Sequence, residues 1–156
     1  RHHQRVLVIA TQATIHSHKY RQMILQYNPD TVVYELATPQ LVPVIESGQY
    51  KAGVHDLLNQ YLSAYKKQVD AIILGCTHYP VLLNQIQEVF PNVDYISSSA
   101  SICQEVASYL KNHQLENQSS CTGNIQIYTT GDSQKFFQSS YGFFDFQNFI
   151  VKHLDL

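Results

Sequence analysis

The sequence predicts an α/β fold, a mainly parallel sheet flanked by helices. Three observations carry that expectation. Short apolar or β-branched runs alternate with amphipathic stretches along the whole chain. The run Ala71–Leu74 is apolar at every position, as a strand buried on both faces should be. Turn signals such as Asn28-Pro29-Asp30 and Glu46-Ser47-Gly48 fall between the periodic segments. Parallel strands joined through helices imply right-handed crossovers.

Each element follows from its residues. Arg5–Ala10 carries the first apolar run and reads as a strand. Thr14 is a suitable N-cap for a helix through Tyr27, with Tyr20, Met23, Ile24 and Tyr27 on one face. Residues 31–36 are β-branched and form the second strand. Pro39 and Pro43 punctuate an apolar segment that ends at Glu46-Ser47-Gly48. An amphipathic helix is expected over residues 54–68, striped by Leu57, Leu58, Tyr61, Leu62 and Tyr65. After the strand Ala71–Leu74, a helix over residues 81–90 and a strand over residues 93–96 follow. Ser97 to Ser99 can cap a helix bearing Ile102, Val106, Tyr109 and Leu110. Residues 115–123 are polar and read as a loop and the best linker, with Ser97 to Ser99 a second place where the chain can pass between lobes. A strand at residues 125–128, a helix at Ser133–Ser140 and a strand near residues 149–151 complete the chain.

Bulk properties bound the function. The 156 residues suffice for one ordinary domain. A net charge of -2 gives no electrostatic reason to expect nucleic acid or an anionic membrane as partner. No apolar stretch approaches the ~18 residues of a membrane span. The 3 cysteines lack framework spacing, which argues against a disulfide-stapled secreted domain and suits a reducing cytoplasm. The chain opens on Arg1-His2-His3-Gln4 without Met and enters a strand at once, as a piece of a longer protein would.

The segment Leu74-Gly75-Cys76-Thr77-His78-Tyr79-Pro80 carries the chemistry. Cys76 follows a strand directly and precedes a helix, where open α/β sheets bind ligands. Helix-start N–H groups there can hold a carboxylate and favour a thiolate. A buried structural cysteine is the ordinary alternative; the strand-end position and the neighbouring Thr77, His78 and Tyr79 weigh toward catalysis. Spacing excludes other cysteine chemistries: a phosphatase-type loop would need Arg where Leu82 stands, and a redox pair would need Cys where Tyr79 stands. Cys76 and His78 alone make too few ligands for zinc, so no metal site is expected. His78 is either a helix-start hydrogen-bonding residue or a partner that stabilises the thiolate or holds a substrate carboxylate. Glu46 is either a solvated acid near a helix end or an electrostatic partner at the open end of the sheet. Thr11 and Thr14 follow the first strand, where hydroxyls grip a carboxylate or amine, though capping also suits Thr14. Cys103 on an apolar-striped helix and Cys121 in a polar loop read as background. His3 and His153, near the termini, are expected to be solvated, and His55 and His113 to stand alone.

The cysteine segment resembles the second cysteine motif of the bacterial glutamate racemases, within the aspartate/glutamate racemase family. Ala10-Thr11-Gln12-Ala13-Thr14-Ile15, with Ser17 and Tyr20, is similar to that family's Gly-Thr-x-x-Thr segment, with Ala10 where Gly is frequent. Leu41-Val42-Pro43-Val44-Ile45-Glu46-Ser47-Gly48 resembles its Leu-Val-Pro-x-x-Glu-x-Gly segment, and Thr129-Thr130-Gly131 its late Thr-Thr-Gly. The family's Asp-Ser-Gly segment and first catalytic cysteine, followed by Asn-Thr, do not occur here.

The resemblance implies cofactor-independent interconversion of L- and D-glutamate by two thiols, supplying D-glutamate for peptidoglycan in the cytoplasm. Cys76, His78 and Glu46 would be the catalytic residues, and Thr77, His78, Thr11 and Thr14 would bind substrate. It also implies a two-lobed fold, with residues 1–98 the second lobe and residues 99–156 returning to a first lobe that this chain lacks. Glutamate and that N-terminal half would be partners, and a homodimer is compatible with this. The alternative is a catalytically incomplete domain that binds an acidic amino acid or a partner.

Overall fold

The computed structural model describes residues 3–119, 125–140 and 149–155. Four parallel strands form the main sheet: β1 (Arg5–Ala10), β2 (Val32–Ala37), β3 (Ala71–Leu74) and β4 (Asp94–Ser97), in the order β2-β1-β3-β4. The register sets Ala10 against Ala37, Ile9 against Leu74, and Leu74 against Ser97. All four strands therefore end at one edge. The chain steps outward from β1 to β2, then crosses back over β1 to β3. The order reverses between β1 and β3, and the crevice outside their carboxyl ends is the position where such sheets bind ligands.

Helices cover both faces, as parallel strands require. Strand alternation sends Leu7, Ile9, Ile72 and Leu74 to one face. There they pack with Leu41 and Ile45 of α3 (Leu41–Glu46), Leu58 and Leu62 of α4 (His55–Leu62), and Ile86 of α5 (Leu83–Val89). Val8, Ala10 and Val33 face the other way, against Ile15 of α1 (Gln12–His16) and Tyr20, Ile24 and Leu25 of α2 (Lys19–Tyr27). A slip of one residue in any strand would exchange these two sets. The second face is closed only over β1 and β2. Toward β3 and β4 a groove of about 330 Å³ stays open, lined by His3, Val6, Met23, Tyr27, Ile73 and Ile96 among others.

After β4 the chain enters α6 (Ser98–Asn112) directly, then a two-stranded parallel sheet, β5 (Gln126–Thr129) with β6 (Ile150–His153), flanked by α7 (Ser133–Ser140). Among the described residues no helix is long and apolar enough to cross a membrane.

The α/β architecture expected from the sequence is the one observed, with local differences. The first expected helix is two, because Ser17 ends α1 and His18 takes a left-handed conformation at φ 51° before α2. Its cap is Thr11 rather than Thr14: the Thr11 hydroxyl accepts from the Thr14 amide. The helix expected over residues 54–68 ends at Leu62 and tightens into a 3-10 turn at Ser63–Tyr65. The segment after Cys76 likewise opens as a 3-10 turn, Tyr79–Leu82, before α5 begins.

Candidate active site

Three strand ends meet at the carboxyl edge. β1 runs into Thr11, β2 into Thr38, and β3 into Gly75 and Cys76. Gly75 is where the third loop passes closest to the first. Its amide donates to the Ile9 carbonyl at 2.8 Å. A Cβ added to it would lie 3.0 Å from both the Ala10 Cβ and the Ile9 oxygen, so any larger residue would push the loop away. Cys76 is thus delivered half-buried at the mouth of the crevice between β1 and β3.

Glu46 reaches the same place by another route. It is the last residue of α3, whose Pro43 is tolerated because it lies within the first helical turn. Gly48 adopts φ 73° just beyond, and its amide donates to the Ile45 carbonyl at 3.0 Å, which stops the helix. A carboxylate at a helix C-terminus faces the negative end of the helix dipole, an unfavourable arrangement unless a cation or donor faces it. His78 supplies the donor: its Nε2 lies 3.1 Å from Glu46 Oε1.

The other nitrogen of that ring faces the thiol, with His78 Nδ1 3.8 Å from Cys76 Sγ. A carboxylate only accepts, so the contact with Glu46 places a hydrogen on Nε2. In the neutral ring that leaves the Nδ1 lone pair toward the sulfur, a base beside a thiol. Glu46 thereby sets the tautomer, and His78 can take the thiol proton or return it. The His78 side chain is 29% exposed and that of Glu46 55%, so the line runs from the crevice to solvent.

Of the residues singled out from the sequence, Cys76, His78 and Glu46 come together in one line. Thr77 lies exposed in the turn between Cys76 and His78. Thr11 and Thr14 stand at the end of β1 with their hydroxyl oxygens 3.0 Å apart. That pairing forms the α1 cap and leaves the hydroxyls half-buried at the carboxyl edge. Gly131 and Asp132 precede α7, and the Asp132 carboxylate accepts from the Lys135 and Gln134 amides at 3.0 and 2.8 Å. Those amides hold Asp132 below the usual carboxylate range.

Several expectations need correction. Cys103, on the apolar-striped helix, lies exposed, because the stripe of α6 meets no cover among the described residues. Cys121 lies outside the described residues. His3 is not solvated; its ring lies between Asp70 and Asp94, 3.6 Å from each, at the amino ends of β3 and β4. His55 contacts Glu88 Oε2 at 2.5 Å, and His113 stacks on Tyr109 with ring centroids 3.9 Å apart. His153 is exposed as expected, and the Gly131 carbonyl and then Asp155 raise its pKa.

The sequence reading missed Thr38. It follows β2 as Thr11 follows β1, so the strand-end argument that selected Thr11 could have found it. Among the described residues, no group of three or more His, Cys, Asp or Glu side chains is placed to hold a metal ion.

The model of the Asp/Glu/Hydantoin racemase family matches residues 1–114. The chain is 36% identical over 159 residues to a glutamate racemase of Lactiplantibacillus plantarum, covering 99% of this chain and 58% of that protein. To a glutamate racemase of Oceanobacillus iheyensis it is 37% identical over 158 residues, covering 96% and 57%. Among solved structures, glutamate racemase from Francisella tularensis in complex with D-glutamate matches with a TM-score of 0.83 at 29% identity, over 97% of this chain and 58% of that one. A glutamate racemase from Bacillus anthracis matches with a TM-score of 0.84 at 28% identity, over 98% and 58%. The chain spans less than two thirds of the length of these relatives and matches their C-terminal part.

Proposed function

The chain belongs to the Asp/Glu/Hydantoin racemase family, and from that premise we propose that it is the C-terminal part of a glutamate racemase. The observation that carries this reading is the line Cys76–His78–Glu46 at the point where the strand order reverses. In the L-to-D direction the Cys76 thiolate removes the α-proton, and the electron pair left on the α-carbon delocalises into the substrate carboxylate. A thiol on the opposite face then gives its proton to that carbon and becomes a thiolate. In the reverse direction the two sulfurs exchange roles. His78 holds or carries the Cys76 proton, Glu46 fixes the ring, and Thr77, Thr11 and Thr14 grip the charged ends of the amino acid. The reaction needs no cofactor, since only protons move.

The opposing thiol belongs to the N-terminal half that the longer relatives possess. Residues 1–98 form the second lobe, and residues 99–156 return to the first. The uncovered stripe of α6 and the thin β5–β6 sheet support this division. The product is D-glutamate for peptidoglycan, made in the cytoplasm. Glutamate and the N-terminal half are the partners this reading requires; a homodimer is compatible with it and not required.

The test is a coupled assay for D-glutamate on this chain alone and again with an N-terminal half supplied in trans. A positioned acid or base is worth ~10²–10⁴-fold, so the isolated chain should fall at least that far below the joined pair. Cys76→Ser should remove whatever the added half restores. Family-like turnover by the chain alone would contradict the two-thiol reading. Glutamate binding without turnover, with no rescue by the added half, would favour a catalytically incomplete binding domain.

A further inference from the structure

The proton line leaves two buried hydroxyls beside it unused. Tyr79 and Thr38 are 0% and 1% exposed. The Tyr79 hydroxyl donates to Thr38 Oγ1 at 2.6 Å and lies 3.3 Å from the Thr38 carbonyl. Thr38 Oγ1 donates to the Ala10 carbonyl at 3.3 Å, and the Thr38 amide donates to the same oxygen at 3.0 Å. The Thr38 carbonyl also accepts from the amide of Leu41, the first residue of α3, at 3.2 Å. One small network therefore joins the ends of β1 and β2, the start of the helix that ends in Glu46, and the turn that carries Cys76 and His78.

Packing alone does not call for these hydroxyls. Phe and Val would fill nearly the same space without the cost of burying oxygen. Burial pushes the Tyr79 hydroxyl up to about 12, so it keeps its proton through the neutral range and remains a donor. Its reach to the reacting atoms is short: Tyr79 is bonded to His78, and its amide donates to the Cys76 carbonyl at 3.2 Å. On the other side of Cys76 the loop is held by the bond from the Gly75 amide to Ile9.

We propose that Thr38 and Tyr79 are positioning residues. They clamp the turn after β3 against the end of β2, so that the His78 ring lies between Cys76 on one side and Glu46 on the other. The clamp rests on the reading of Cys76 and His78 as a reacting pair. It adds that the geometry of the pair is imposed from the end of β2, through the Thr38–Tyr79 contact.

Iodoacetamide alkylation of Cys76 tests this without substrate or an N-terminal half. Rates are read by peptide mass spectrometry across pH, with the exposed Cys103 as internal reference. Tyr79→Phe and Thr38→Val should slow Cys76 at neutral pH roughly three- to tenfold, the range expected for one lost ordering hydrogen bond. Near pH ~10, above the ordinary thiol range, hydroxide rather than His78 takes the proton, so variants and parent should react alike. Thr38→Ser, which keeps the hydroxyl, should restore the neutral rate. A merely structural role would change access to Cys76 equally at every pH, and that result would overturn the proposal. Wild-type rates in both folded variants would also overturn it. If Tyr79→Phe fails to fold, Thr38→Val decides; failure of both would assign the network to folding and overturn the clamp. His78→Gln separates the two levels. If it slows Cys76 while the hydroxyl variants do not, the clamp fails alone; if it leaves the rate unchanged, the reacting pair fails with it.

Discussion

Residues 3–97 and residues 98–155 are built from the same alternation of strand and helix, yet they differ in what they bury. The first region closes its core with its own side chains: Leu7, Ile9, Leu58, Ile72 and Ile86 are all fully buried. In the second, Ile102 and Val106 on α6 are 54% and 51% exposed, and Tyr128 and Ile150 of the small sheet are exposed too. Both helices α4 and α6 carry an apolar stripe at helical spacing. The difference is therefore one of partner rather than pattern. A periodic stripe tells which face wants cover, and it takes the fold to tell whether cover is present.

Truncation breaks or sharpens this contrast most strongly. Leu58→Ala should cost about 2–5 kcal/mol in urea unfolding of the chain, as lost methylenes leave a cavity in a closed core. Val106→Ala should stay within about 0.5 kcal/mol, since it removes surface already in water and places a better helix former there. Adding the N-terminal half should narrow the gap between the two, with Val106→Ala then weakening association. Equal costs in the chain alone would mean that α6 is packed.

A smaller effect comes from the buried hydroxyl of the first region. Tyr79 gives up its proton at about 12 when folded against 10.0 ordinarily, because burial disfavours the phenolate. The folded chain therefore holds a proton that the unfolded chain releases first. The stability linked to it is intact below pH 10.0 and drains away as pH rises from there toward about 12. Alkaline unfolding followed by circular dichroism should show a shallower fall in Tyr79→Phe than in the parent over that interval. Parallel curves would place the hydroxyl in water.

The same contrast explains what could be read in advance. The strand Ala71–Leu74 announced itself by being apolar throughout, and with it the position of Cys76. Strand order put Thr11 and the turn with Cys76 and His78 at one edge, because the ends of parallel strands share an edge; Glu46, at the end of α3, was selected by its motif alone. The sequence could not show that His78 Nε2 would face Glu46, since that depends on α3 stopping at Gly48. Nor could it show His3 lodged between Asp70 and Asp94, a meeting of three chain-distant residues at the opposite edge. Thr11 and Thr14 both suit a cap, and only the backbone distinguishes them. The apolar stripe around Cys103 could not show by itself that the residue would stand exposed on α6.

The two cysteines provide the most direct measurement. Cys76 is half-buried with an imidazole 3.8 Å away, whereas Cys103 is exposed on α6. Site-resolved alkylation of the chain at neutral pH compares them in one sample. If His78 activates Cys76 for proton transfer, Cys76 should react faster than Cys103 despite being less accessible. His78→Gln should cancel that advantage and leave Cys103 unchanged. A Cys76 slower than Cys103, and indifferent to His78→Gln, would contradict the assignment of Cys76 as the acid–base thiol.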